Sequence, residues 1–317
     1  LVPLLGIRRG DRVAICMRNR TEWIVGFLAT IKAGGIAALL NSRGSPAELV
    51  AMIHEVTPEI VLADSQRAAL IREGGYTGRM LDLTQPFEEA EIEQRASTAP
   101  IVADMAKPDD ACTILFTSGT TGRVKGAVLS HRNLITGLMS VQLAGMQVLH
   151  GTAARLGIPV ETMMQHMPQQ AAVLVYPLFH ISGLGSAFLS PMLAGSKVVV
   201  MRRWDAPRAL EYIRDEQVTM FTGVPTMLWD LLNGAQLANA DLTSLRNIAS
   251  GGQALPVNLL NAMRSQCPEA LFGTGYGMTE CSGAIAQAVG EEFVRKPDSA
   301  GRVLPLVDVR ILSPEGA

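Results

Sequence analysis

Closely spaced cysteines are missing from this sequence, and so is any block of lysine and arginine. The four cysteines are Cys16, Cys112, Cys267 and Cys281, and no pair has the spacing of a zinc site or a redox dithiol. Scattered single cysteines in apolar company read as small core residues of a cytoplasmic protein. With Lys+Arg at 27 against Asp+Glu at 29, a formal net charge of −2, the chain offers no basic excess to a nucleic acid. The lack of a polybasic tract also excludes an electrostatic tail for a membrane surface. Neither an initiator methionine nor a signal peptide opens the chain at Leu1, and Glu315-Gly316-Ala317 follows directly on a strand-like run. Both ends therefore read as cut, and the expectation is a piece of a longer protein.

Charge is absent altogether from residues 171–196, a stretch long enough to span a bilayer. Pro177, His180, Gly183, Gly185, Pro191 and Gly195 punctuate it, which predicts a buried strand, a loop and a short helix instead.

What is present is a repeated alternation of short β-branched runs with helical patterns, in a 317-residue chain that is 48% apolar and can bury a large core. Residues 12–17, 36–40 and 59–63 read as strands, with a helix over residues 22–32. Ser45-Pro46-Ala47-Glu48 is a capping box with proline at the first helical position, so a helix starts there. Residues 84–110 are acidic, contain proline and show no period; they read as a surface connection. The alternation resumes with strands at 111–116, 172–175, 197–201, 218–221, 245–249 and 270–273, and with a helix from Ser130. The predicted fold class is α/β: layered, parallel-rich sheets flanked by helices, in two α/β halves of one domain covering residues 1–317.

The most informative stretch follows the strand at 111–116. Thr117-Ser118-Gly119-Thr120-Thr121-Gly122-Arg123 carries four hydroxyls and two glycines, and Lys125-Gly126 comes next but one. Glycines let backbone amides converge on an oxyanion, hydroxyls add donors, and the ammonium neutralises charge. The bland alternative is a polar hairpin turn, which this concentration of hydroxyls beside a lysine disfavours. It is not a Walker A loop, which needs glycine immediately before the lysine, where Val124 stands. Nor does Ser118 or Ser250 sit in the G-x-S-x-G elbow of a serine hydrolase.

This loop resembles the phosphate-binding loop of the adenylate-forming superfamily: acyl- and aryl-CoA synthetases, luciferases and peptide-synthetase adenylation domains, with fatty acyl-CoA synthetases the nearest group. Val124 departs from the proline usual there, while Thr117, Ser118, Gly119, Thr120, Thr121, Gly122 and Lys125 all match. Three further matches follow in the family's order. Pro177-Leu178-Phe179-His180-Ile181-Ser182-Gly183 places a histidine among apolar residues; alone it reads as a satisfied core residue, but the resemblance puts His180 in the acyl pocket. Ser250-Gly251-Gly252-Gln253 is a glycine-rich turn between a strand and a helix; by itself weak, it is implied by the resemblance to hold adenine through Gly252 and Gln253. In Gly273-Thr274-Gly275-Tyr276-Gly277-Met278-Thr279-Glu280, bracketing glycines expose an aromatic face suited to stacking on a base. Its hydroxyl followed by a carboxylate suits a phosphate and a magnesium ion. The resemblance implies Thr274, Gly275 and Tyr276 around the nucleotide, Thr279 on the α-phosphate or adenylate, and Glu280 on Mg²⁺. The opening Gly10-Asp11-Arg12-Val13-Ala14 and the Lys32-Ala33-Gly34-Gly35 segment also look typical, so the likeness covers essentially the whole chain.

The reaction implied has two halves: a carboxylate attacks the α-phosphorus of ATP to give acyl-AMP and pyrophosphate, and the thiolate of coenzyme A then displaces AMP. Lys125, His180, Thr279 and Glu280 are the expected catalytic group. His180, Gly183, Gly251, Gly275, Gly277 and Cys281 are expected around the acyl group. The chain ends before the family's Thr-Gly-Asp motif, hinge and small mobile domain, so alone it is expected to bind nucleotide weakly and adenylate poorly. Aromatic content of 5% does not suggest a tight aryl slot. Met146, Met163, Met164 and Met167, within residues 142–170, could cover a flexible acyl channel, against the plainer reading of a helix connection. A medium- or long-chain fatty acid is the expected substrate. An aryl acid, a carrier-protein acceptor in place of coenzyme A, and an inert nucleotide-binding homologue are the alternatives. A small acid, ATP and coenzyme A are the expected partners; no nucleic acid and no transmembrane segment are expected, peripheral membrane contact stays open, and oligomeric state is unread.

Overall fold

A computed structural model describes residues 6–84, 106–117 and 124–313. The chain divides into two compact units, Leu1–Leu134 with Tyr176–Leu184 and Val200–Arg203, and the remainder.

In the first unit, β1 (Arg12–Cys16), α1 (Thr21–Lys32), β2 (Ile36–Leu39), α2 (Pro46–Val56), β3 (Ile60–Ala63), α3 (Ser65–Glu73), β4 (Met80–Asp82), β5 (Ala111–Thr117) and β6 (Lys125–Ser130) follow in order. Their sheet runs β4-β3-β1-β2-β5-β6, parallel until the last pair. Val13–Cys16 of β1 and all of β3 are buried, the continuous apolar burial expected when helices cover both faces of a parallel sheet. In α1, Trp23, Gly26, Phe27 and Thr30 form the buried stripe, and the rings of Trp23 and Phe27 stack 5.4 Å apart. The predicted capping box is present: the Ser45 hydroxyl accepts from the Glu48 N–H at 3.4 Å, and the Glu48 carboxylate accepts from the Ser45 N–H at 2.7 Å. Asp64 caps α3, accepting from the Arg67 N–H at 3.0 Å, and its carboxylate meets the buried Arg67 guanidinium at 3.4 Å.

No local pattern in residues 125–130 announces β6. It pairs antiparallel with β5, Thr117 opposite Lys125, so residues 118–123 connect a hairpin. Residues 118–123, on which the choice between an oxyanion loop and a polar hairpin turn falls, lie outside the described residues. Most of the 84–110 connection lies outside the described residues.

In the second unit, α4 (His131–Leu156, beginning in the first unit), α5 (Val160–Gln165), β7 (Ala171–Leu174), a π-helix (Ser182–Leu189, likewise beginning in the first unit), α6 (Ser190–Leu193), β8 (Lys197–Val200), α7 (Ala206–Asp215), β9 (Met220–Gly223), α8 (Pro225–Ala238) and β10 (Asn247–Gly251) are followed by α9 (Val257–Gln266), β11 (Leu271–Met278), β12 (Gly283–Val289), α10 (Glu291–Arg295) and β13 (Arg302–Val303). The sheet order is β13-β12-β11-β10-β9-β7-β8. Strands β7, β9, β10 and β11 are parallel neighbours, while β11, β12 and β13 are antiparallel.

The last strand predicted, 270–273, extends instead to Met278. Gly273 and Gly277 lie hard against β12, where an added Cβ would stand 3.0 Å from the Ala288 carbonyl and 2.1 Å from that of Gly283. Gly273 and Gly277 therefore serve close strand approach. The uncharged run at 171–196 forms β7, the π-helix and α6, and no helix among the described residues is long and apolar enough to cross a membrane. Cys16, Cys112 and Cys267 are buried as expected, whereas Cys281 is exposed. Burial pushes the Cys16 and Cys112 thiols up to about 12.

Candidate functional site

Open α/β sheets bind ligands beyond the carboxyl ends of their parallel strands, and residues singled out from the sequence sit at such ends in each unit. In the first unit, β5 ends on the half-buried Thr117, and its cross-strand partner Lys125 is exposed at the start of β6. Gly126, opposite Phe116, has no room for a side chain: a Cβ would stand 2.7 Å from an Ile114 methyl. Ser118, Gly119, Thr120, Thr121 and Gly122 lie outside the described residues.

His180 is exposed, unlike the satisfied core histidine that the sequence alone favoured. It sits in a tight turn in which its N–H donates to the Pro177 carbonyl at 3.0 Å, and its own carbonyl accepts from the N–H groups of Gly183 and Leu184, both at 2.9 Å. Its Nδ1 accepts from the Ser182 backbone N–H at 3.2 Å. An N–H aimed at Nδ1 leaves the ring proton on Nε2 and disfavours a second proton. Desolvation by the surrounding protein lowers the His180 pKa in the same direction. Gly183 is buried, and a Cβ there would stand 2.0 Å from the Pro177 carbonyl. The Cβ direction at Gly183 is therefore filled by this chain's own backbone.

In the second unit, two segments far apart in sequence come side by side. Ser250 pairs with Thr274 and Gly251 with Gly275 on adjacent parallel strands β10 and β11. The Thr274 hydroxyl donates to the Ser250 carbonyl at 3.2 Å. Gly252 follows with φ +83°, a left-handed turn open enough that nothing lies within 4 Å of where a Cβ would be, and Gln253 is exposed beside it. Tyr276 keeps 52% of its surface exposed, with its hydroxyl 3.7 Å from the Met278 sulfur. The β11–β12 register shifts between Tyr276 and Gly277. Such an irregularity re-aims the side chains beside it. Gly275 has ordinary contact only, the Ala286 carbonyl 3.8 Å from an added Cβ, whereas Gly277 is closed by β12 as Gly183 is by Pro177.

Thr279, Glu280 and Cys281 form a short 3₁₀ turn that ends on Ser282 in the left-handed region, with Glu280 and Cys281 exposed. No cluster of three or more His, Cys, Asp or Glu among the described residues could hold a metal ion alone. An exposed carboxylate without an ion pair among those residues, as at Glu280, fits a magnesium ion, which takes one or two protein carboxylates and completes its shell with phosphate and water.

A feature that the sequence reading missed lies in the first unit. A cavity of about 580 Å³ opens at the ends of β1 and β3, lined by residues that include Asn19, Arg20, Glu22, Asp64, Thr84 and Arg202. The Arg20 and Glu22 side chains pair at 2.6 Å on its wall. Burial pushes the Glu22 carboxyl up, but hydrogen bonds from Arg20 and the backbone outweigh this and leave it below its ordinary value. Burial and the neighbouring Arg67, Arg43 and Arg202 depress the Arg18 pKa. The available signal was positional: Asn19 and Arg20 fill the turn between β1 and α1.

The AMP-binding enzyme family matches residues 1–317. The 4-coumarate–CoA ligase CCL1 of Humulus lupulus is 28% identical over 323 residues, covering 98% of this chain and 56% of the relative. The chain thus spans about half the length of the curated relatives it matches. Among solved structures, a putative long-chain-fatty-acid CoA ligase from Rhodopseudomonas palustris superposes with a TM-score of 0.80 at 25% identity, covering 100% of this chain and 74% of that one. The o-succinylbenzoate coenzyme A synthetase MenE of Bacillus subtilis, solved in complex with AMP, gives a TM-score of 0.72 at 27% identity, covering 96% of this chain and 70% of that one. By fold, by its strand-end motifs and by a match over its whole length, this chain belongs to the AMP-binding enzyme family.

Proposed function

We propose that the protein containing this chain activates a carboxylic acid with ATP to acyl-AMP and then passes the acyl group to coenzyme A. The observation that carries this reading is the registered pairing of Ser250–Gly251 with Thr274–Gly275, which brings the Gly252 turn and the exposed Tyr276 to the ends of neighbouring parallel strands. An open turn beside an aromatic face suits a purine, which needs a flat slot and a few backbone donors.

In the first half-reaction a carboxylate oxygen bonds to the α-phosphorus as pyrophosphate leaves with the electrons of the broken P–O bond. Two anions must approach, so fixed positive charge and donors aimed at the phosphates supply most of the acceleration. Lys125 and the hydroxyls of residues 117–121 take the pyrophosphate side in this reading. Thr279 donates to the α-phosphate, and His180 donates through Nε2 to the acid. Glu280 would hold Mg²⁺, which when bound neutralises phosphate charge. In the second half-reaction the thiolate attacks the acyl carbonyl and AMP departs.

Of the acids, a medium- or long-chain fatty acid is our first reading, supported by the likeness to the Rhodopseudomonas palustris protein. An aryl acid is the second, favoured by the names of the Humulus lupulus and Bacillus subtilis relatives. Carboxylate-dependent ATP–pyrophosphate exchange on the complete protein, with fatty acids of graded length and a set of aryl acids, separates them. Exchange should appear with one class and fall on the order of 100-fold in Lys125→Ala. Absence of exchange with every acid would overturn the ligase reading.

A further inference from the structure

The turn that carries His180 is tied to a residue far away in sequence. Asn19, in the turn between β1 and α1, is buried within the first unit. Its Nδ2 donates to the Tyr176 carbonyl at 2.8 Å and to the Met201 carbonyl at 3.2 Å, and its Oδ1 accepts from the Leu178 N–H at 3.0 Å. One planar amide thus grips the backbone on both sides of Pro177, which has no N–H of its own to anchor it. Pro177 is also the residue whose carbonyl takes the His180 N–H and lies against the bare Cα of Gly183. From there the Ser182 N–H reaches His180 Nδ1. The chain of contacts runs from Asn19 to Tyr176 and Leu178 on either side of Pro177, through the turn, to the imidazole.

We propose that Asn19 is a positioning residue: it clamps the Tyr176–Leu178 backbone and so holds His180 with Nδ1 as acceptor and Nε2 as donor. The clamp is neutral and uses an amide's two kinds of polar atom at once, which no other small side chain reproduces. An aspartate in its place would keep the acceptor for Leu178 and lose both donors, setting a carboxylate against two carbonyl oxygens. Leucine would approximate the volume and lose every bond. That His180 meets the acid rests on the function proposed above; that Asn19 sets its tautomer does not.

The test is nitrogen NMR of histidine-labelled complete protein, with the His180 signal identified by its loss in His180→Gln. In the parent, His180 should show the Nε2–H tautomer and titrate below the ordinary histidine range. In Asn19→Asp and Asn19→Leu, each checked for native circular dichroism, the signal should move to a tautomer mixture and titrate nearer the ordinary value. The KM for the acid should rise about tenfold, with the KM for ATP unchanged. If one variant does not fold, the other carries the test. Should both lose the fold, Gly183→Ala, which moves the Pro177 carbonyl from the other side, must shift the same signal. An unmoved His180 signal in a folded Asn19 variant, or in Gly183→Ala, overturns the proposal. A moved signal in a protein that activates no acid keeps the positioning role and removes the ligase reading instead.

Discussion

Thr274 and Ser250, 24 positions apart, are joined by a hydroxyl-to-carbonyl hydrogen bond of 3.2 Å across two parallel strands. Ser250 lies one residue before the end of β10 and Thr274 midway along β11, so the bond fixes the spacing between the end of β10 and the glycine-rich half of β11. Thr274→Val keeps the volume and branching and removes the donor. Stability should fall by about 1 kcal/mol in denaturant melts, and AMP should bind more weakly by calorimetry. An AMP affinity equal to that of the parent would detach Thr274 from the nucleotide.

The glycines separate into two kinds, and alanine substitution tells them apart. Gly277→Ala should cost about 1–3 kcal/mol through backbone displacement, because a Cβ would stand 2.1 Å from the Gly283 carbonyl. Gly275→Ala meets nothing closer than 3.8 Å, so its melting temperature should stay near that of the parent. A fall in nucleotide or acid binding in Gly275→Ala would then report ligand space directly.

Asp64 gathers the Arg67 N–H, the Arg18 N–H at 3.3 Å and the buried Arg67 guanidinium, which also donates to the Ser42 carbonyl at 3.1 Å. Asp64→Ala would leave Arg67 charged and buried without its carboxylate, and would uncap α3. The expected loss is about 3–5 kcal/mol, read from the denaturation midpoint. A change below about 1 kcal/mol would mean that water reaches Arg67 freely.

His180 gives the fold a pH dependence of known sign. Its folded pKa lies below the ordinary value of 6.5, through desolvation. The unfolded chain therefore takes up the proton first as pH falls. Its contribution to stability is complete above about 6.5 and is lost as pH drops from there towards the folded pKa. Melts across pH 5–8 on the parent and His180→Gln should show the parent losing stability relative to the variant at the acid end. Parallel curves would mean that the ring is not desolvated.

The alternating parallel strands were legible because their evidence is local. β1 and β3 are continuous apolar runs, and the α2 start was written in Ser45, Pro46 and Glu48. Strand β6 and the second half of β11 were not, because Lys125-Gly126 and Gly273 to Gly277 carry the composition of turns; only pairing across the sheet makes them strands. The nominated site residues came from motif order, and sequence could not say which glycines leave space. Gly183 and Gly277 are closed by backbone, a fact that depends on Pro177 and Gly283. Asn19 was invisible for the same reason: its partners are 157 to 182 positions away.

The β5–β6 hairpin has a consequence for sequence change. Lys125 pairs with Thr117 at the base of the connection, and that pairing sets its place in β6. Because side chains alternate faces along a strand, a one-residue deletion inside β6 that shifted its pairing would turn each later side chain to the opposite face. A deletion or insertion confined to 118–123 would leave the ammonium at its post and change only what it is offered to. The strand pairing therefore separates two kinds of variation: changes within β6 move the charge itself, and changes between the strands alter only the groups offered beside it.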